Sequence, residues 1–156
     1  MRKRFPVSAL LALMLSVLVL PAAAGAVPPL TGGGTFTVSS AVTTSTRQAD
    51  GNTFLTLRVT TLYSGALQGT GVDEETVIVH PDGTLNGSTF GTFTGTIGGT
   101  AGTAVLRVEG TGDVGTGVLR GRFTILDGTG GLANVHGEGT SQAVGDSGTY
   151  SVTYSL

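Results

Sequence analysis

The sequence of 156 residues contains no cysteine and no tryptophan, and only two histidines. Lysine occurs once, at Lys3, and charged residues make up 12% of the chain. Each shortage closes off a chemistry. Without cysteine there is no thiol nucleophile, no iron–sulfur cluster, no cysteine-ligated zinc and no disulfide framework. His80 and His136 lie far apart with no ligand spacing around them, so no metal and no cofactor are expected. Cations are equally scarce. Beyond residue 26 the chain keeps five arginines (Arg47, Arg58, Arg107, Arg120 and Arg122) against ten acids, a net charge of −5. A nucleic-acid surface needs clustered cations to displace counterions, so nucleic acid is not expected as a partner.

Long apolar runs are also lacking, with one exception. Val7–Leu20 is apolar except for Ser8 and Ser16, follows the basic Arg2-Lys3-Arg4 and ends at Pro21. Ala22-Ala23-Ala24 or Ala24-Gly25-Ala26 then offers small residues for cleavage. These parts together read as an export signal over residues 1–26. The run falls short of the roughly 20 apolar residues that span a bilayer, so no membrane is expected after cleavage, only a secreted or envelope-exterior location.

What the chain does have is 27 glycines and 26 threonines, the latter all after residue 30. No later segment repeats apolar residues at helical spacing. Period-two alternation dominates instead, in Thr-, Val- and Phe-rich runs broken by glycine. The expected strands are Thr35–Thr44, Thr53–Tyr63, Leu67–His80, Thr84–Ile97, Ala104–Gly110, Val118–Leu126, Leu132–Ala143 and Thr149–Leu156. In the first, Phe36, Val38, Ser40 and Val42 share a face; in the second, Leu55, Leu57, Val59 and Tyr63 do. Asp50-Gly51-Asn52 and Pro81-Asp82-Gly83 read as turns. Eight strands joined by short turns, with glycine inside the runs, predict an all-β fold with almost no helix. A barrel or a two-sheet sandwich would each resolve the exposed sheet edges; the long hairpin-connected runs and the glycines inside them favour a single eight-stranded antiparallel barrel. The barrel is expected over residues 34–156, after a flexible segment at 27–33.

Two tempting motifs dissolve in this setting. Gly110-Thr111-Gly112-Asp113-Val114-Gly115 matches a dinucleotide fingerprint, but that motif must open a helix and here a strand follows. Gly145-Asp146-Ser147-Gly148 resembles a serine-protease loop, yet the chain is too short for that fold, and a hairpin turn explains the letters. Arg107 and Glu109, like Arg120 and Arg122, fit cross-strand pairing on the wet outer face; the alternative is a lumenal arginine gripping an anion.

Asp73-Glu74-Glu75 is the one acidic cluster. Strand neighbours point to opposite faces, so at least one of the three should face the barrel interior. A carboxyl there would have a raised pKa and could act as acid or base. Glu74 or Glu75, with Tyr63 beside it, are the catalytic candidates. Phe36, Leu57, Tyr63, Phe93, Phe123, Tyr150 and Tyr154 are the candidate liners of a ligand site.

Several segments resemble the DUF3224 family in order and spacing. They are Gly34-Thr35-Phe36-Thr37-Val38-Ser39, then the run from Thr61 through Tyr63-Ser64-Gly65 to Gly69, then Pro81-Asp82-Gly83 and Gly95–Gly102. The most specific is Gly128-Thr129-Gly130-Gly131-Leu132 with Gly137-Glu138-Gly139, similar to that family's G-T-G-x-L-x-x-x-x-G-E-G run. The resemblance implies bacterial proteins of unassigned function with an allene oxide cyclase-like or dirigent-like barrel. It supplies no catalytic residues. This chain also departs from the family's pattern, with Ser40 or Ala41 at an often aromatic position, Val108 at a histidine position and Thr61 at a basic one.

The sequence thus favours a secreted barrel that binds a small apolar molecule in or near its lumen. A lumen with a cavity of about 300 Å³ or more is expected for that role. The alternatives are a cyclase or isomerase that uses an inward carboxylate, and a structural module that forms homo-oligomers.

Overall fold

A computed structural model describes residues 28–156. The expected export signal, Met1–Ala26, lies outside the described residues.

Eight strands follow one another: β1 (Leu30–Ala49), β2 (Asn52–Gly65), β3 (Leu67–Val79), β4 (Thr84–Ile97), β5 (Thr100–Asp113), β6 (Val118–Gly130), β7 (His136–Val144) and β8 (Ser147–Ser155). Each pairs antiparallel with the next, and β8 returns to β1, so the sheet closes into a barrel. There is no helix among the described residues. Turn chemistry sets the connections. Asp50-Gly51 and Gly98-Gly99 both hold positive φ at two successive residues, the geometry of the tight hairpin that matches strand twist. At the β3–β4 turn, the backbone N–H and the hydroxyl of Thr84 both donate to the Asp82 carboxylate, at 2.9 and 2.7 Å.

Three local expectations are corrected. Residues 30–33, expected to be flexible, already belong to β1: Leu30 pairs with Tyr154 and Gly33 with Ser151. The alternation of β1 breaks at two bulges, between Val38 and Ser40 and between Thr43 and Ser45. There the hydroxyls of Ser39 and Thr44 donate to the carbonyls of Thr60 and Thr56, each at 3.1 Å. The first bulge turns Val42 outward, 58% exposed, away from the face of Phe36 and Val38. Leu132 is not on a strand. It sits in the turn before β7, fully buried with Val135.

Closure leaves one loose end. The pairing of β1 with β8 stops at Thr37–Ser147, so from Ser39 onward β1 has β2 on one side only. Both bulges lie in this free edge, and Arg47 stacks there over the Phe54 ring at 4.2 Å. Bulges and charge are features that discourage another strand from adding to an edge.

Inside the barrel, large side chains lie over glycines of the neighbouring strand. A Cβ added at Gly139 would come within 2.5 Å of the Phe123 ring, and one at Gly148 within 2.5 Å of the Phe36 ring. The deepest packing is Leu67, Phe93, Ile97, Ile125 and Leu132, and it fills the end of the barrel reached by the β2–β3, β4–β5 and β6–β7 turns. Tyr150 ties this plug to the wall: its hydroxyl accepts from the Leu67 N–H at 2.8 Å and lies 3.0 Å from the Ser64 carbonyl. The glycine–aromatic fit is directly testable. Gly139→Ala should lose roughly 1–3 kcal/mol in denaturant unfolding, the usual cost of overpacking. Gly87→Ala, whose new Cβ meets nothing nearer than Glu75 at 3.6 Å, should stay within about 0.5 kcal/mol of the parent. Equal losses at both positions would contradict this packing.

Candidate functional site in the barrel lumen

The plug occupies one end only. Toward the other end, where the β3–β4, β5–β6 and β7–β8 turns lie, the lumen holds a cavity of about 170 Å³. Its walls are aromatic and aliphatic, including Phe36, Tyr63, Phe123, Tyr150, Val59 and Val108. The cavity is smaller than expected for a typical ligand site because the Phe93–Leu132 plug takes the rest of the interior.

Register decides which acids enter it. β2 and β3 pair about a turn centred on Ala66, with Tyr63 opposite Gly69 and Val59 opposite Asp73. The face that carries Tyr63 inward therefore carries Asp73 and Glu75 inward as well. Both line the cavity, and Asp73 is 6% exposed. Glu74, one of the two catalytic candidates, is exposed on the outer face, in register with Arg58 and Phe90. Asp73 takes the inward place that sequence reasoning did not give it.

The carboxylates have room because β4 has glycine beneath them. Asp73 lies over Gly91, where any Cβ would collide with its carboxylate, and Glu75 lies 3.6 Å from the Cβ position of Gly87. Neither carboxylate has a hydrogen-bond or ion-pair partner among the described residues. The one ion pair there, Arg107–Glu109, is on the outer wall, and all five arginines are exposed. Arg120 touches the cavity boundary from that outer face; among the described residues no arginine faces the lumen to grip an anion. Burial, reinforced by the neighbouring Glu75, pushes the Asp73 carboxyl up to about 6. Burial also raises Glu75. The Tyr63 phenol is raised strongly, first by burial, then by Asp73 and Tyr150, with the Thr61 hydroxyl opposing.

The seven candidate liners divide by depth. Phe36, Tyr63, Phe123 and Tyr150 border the cavity, and Tyr63 is central to them. Its ring lies 6.2 Å from Phe36 and 6.1 Å from Tyr150. Leu57 does not border it, and Phe93 and Tyr154 belong to the plug.

The histidines do other work. The His80 ring lies 2.8 Å from the Asn52 side-chain oxygen and 2.9 Å from the Asn86 amide, fastening the β1–β2 turn to β3 and β4. His136 is exposed, with its ring nitrogen 3.1 Å from the Asn134 carbonyl. No group of three or more His, Asp or Glu among the described residues is placed to hold a metal.

Residues 32–154 match the family described as "Protein of unknown function (DUF3224)". The chain belongs to the DUF3224 family. The crystal structure of a DUF3224 protein of unknown function from Shewanella oneidensis MR-1 superposes with a TM-score of 0.70. It shares 16% identity, over 82% of this chain and 97% of that one, a likeness of fold alone. Among curated proteins none matches this DUF3224 chain.

The raised carboxyl has a consequence for stability. A folded-state pKa above the unfolded value means the native state binds the proton more tightly, so the stability penalty is full above the folded pKa and is relieved as pH falls from there toward the unfolded value. The Asp73 carboxyl near 6 corresponds to a penalty of roughly 3 kcal/mol at neutral pH, at about 1.4 kcal/mol for each pH unit. Asp73→Asn should therefore raise Tm at neutral pH. It should also remove much of the gain in Tm that the parent shows on acidification from about pH 6 to about pH 4. A lower Tm for the variant at neutral pH would contradict the burial of an unpaired carboxylate.

Proposed function

We propose that this DUF3224 protein is exported and that the open half of its lumen binds a small, mostly apolar molecule whose polar end meets Asp73 and Glu75. The cavity of about 170 Å³ carries this reading. An engineered apolar cavity of about 150 Å³ takes up benzene, so the space here suits an occupant of one small ring or a short branched chain. Four aromatic side chains and aliphatic walls favour apolar contact, and among the described residues the carboxylates are the only ionisable groups besides the phenols that face inward. Support for export comes from the basic start and apolar run within Met1–Ala26.

The same carboxylates support a second reading, an isomerase or cyclase. A carboxyl held near 6 both gives and takes protons close to neutral pH, which suits a general acid–base.

Binding is tested by solution NMR of the protein in benzene-saturated buffer. Cross-relaxation between benzene and the Val108 methyls is expected, and Val108→Phe, which fills the cavity while keeping a dispersed spectrum, should abolish it. Absence of benzene contacts in the parent protein would remove the reading.

A further inference from the structure

The charges on the two sides of the barrel wall are sorted. Every arginine of the described residues is exposed, whereas two carboxylates, Asp73 and Glu75, point into the lumen. Around them the strands contribute uncharged groups, such as Phe36 from β1, Thr89 from β4, Val108 from β5, Phe123 from β6, Ser141 from β7 and Tyr150 from β8. Among the described residues the one cation at the boundary is Arg120 of β6, which points to the outer face. On β2 the titratable group that faces the cavity is the Tyr63 phenol, raised first by burial and then by Asp73.

A buried carboxylate without a partner is costly, because burial removes its water without returning an opposite charge. Asp73 is 6% exposed and accepts no hydrogen bond among the described residues; what accessible surface its carboxylate oxygens keep faces the lumen. The protein therefore keeps a negative charge, unmatched by any opposite charge, aimed into a lumen lined by aromatic rings. A hard metal ion does not suit that space, since calcium needs six to eight oxygen ligands and magnesium a near-octahedral set. An organic ammonium does. Its charge meets the carboxylates, its N–H groups satisfy their oxygens, and its carbon atoms lie against ring faces that attract cations.

We infer that the lumen selects a compact organic cation, a monoamine with one small apolar group, with Asp73 and Glu75 holding the ammonium and Phe36, Tyr63 and Phe123 enclosing the rest. This rests on the lumen-binding reading and adds the ligand's charge to it.

Calorimetric titration with three shape-matched probes separates the two claims. Benzylamine carries the cation, benzyl alcohol is its neutral counterpart and benzoate its anionic one. At neutral pH benzylamine should bind on the order of tenfold more tightly than benzyl alcohol, with benzoate weakest. In the Asp73→Asn, Glu75→Gln double variant the two should become equal, while Glu74→Gln on the outer face should keep the preference. The preference should also fade as pH falls through about 6. Benzyl alcohol binding as tightly as benzylamine would overturn the cation inference and leave the apolar lumen site standing. A preference that survives the double variant would overturn the assignment to these carboxylates. No binding of either probe would overturn the lumen reading itself.

Discussion

Eight strands fix the bore of the barrel, and the bore fixes how much side chain can fit inside. Everything else in the structure follows from how that limited cross-section is shared. Phe36 lies over Gly148, Phe123 over Gly139, and Asp73 over Gly91. Each large or charged inward group occupies space that a glycine on the next strand gives up. The abundant glycine is therefore a packing component of the wall as much as a turn former. Threonine complements it on the outer face, where β-branching suits a strand and the hydroxyl tolerates water.

The same sharing produces the asymmetry between the two ends. Where Leu67, Phe93, Ile97, Ile125 and Leu132 meet, the interior is solid. Toward the opposite end the inward row of β4, β5 and β6 is glycine at Gly87, Gly110 and Gly121, which are in register with one another. That glycine row leaves the lumen hollow beside Asp73, Glu75 and Tyr63. The site is thus a by-product of wall composition, with no loop or added domain required to make it.

Most of the architecture was legible from alternation and turns. The eight runs, the Asp50-Gly51 and Pro81-Asp82-Gly83 turns and the Gly128–Gly139 motif all pointed to this fold. The face of β1 was not legible, because Ser39 and Thr44 are ordinary strand residues and nothing in their type marks a bulge. The choice among Asp73, Glu74 and Glu75 took in the inward Glu75 but also the outward Glu74, and it missed Asp73, for a different reason. The neighbouring Thr76-Val77-Ile78-Val79 is apolar on both faces, so composition gives no parity. Counting register through the tight turn at Ala66 would have supplied it, since Tyr63 opposite Gly69 puts Asp73 and Glu75 inward. The size of the lumen was equally hidden, because Leu132 reads as a strand residue yet folds in as part of the plug. Thr61 and Val108 both border the cavity.

The central claim is that a buried, unpaired carboxylate faces an open lumen at Asp73. A carbon-detected NMR titration that follows the Asp73 side-chain carboxyl measures this directly, without a ligand and without a substitution. The account predicts a midpoint of about 6. A midpoint near 4, the ordinary value for an exposed aspartate, would show that water or a cation solvates the group and would contradict the account.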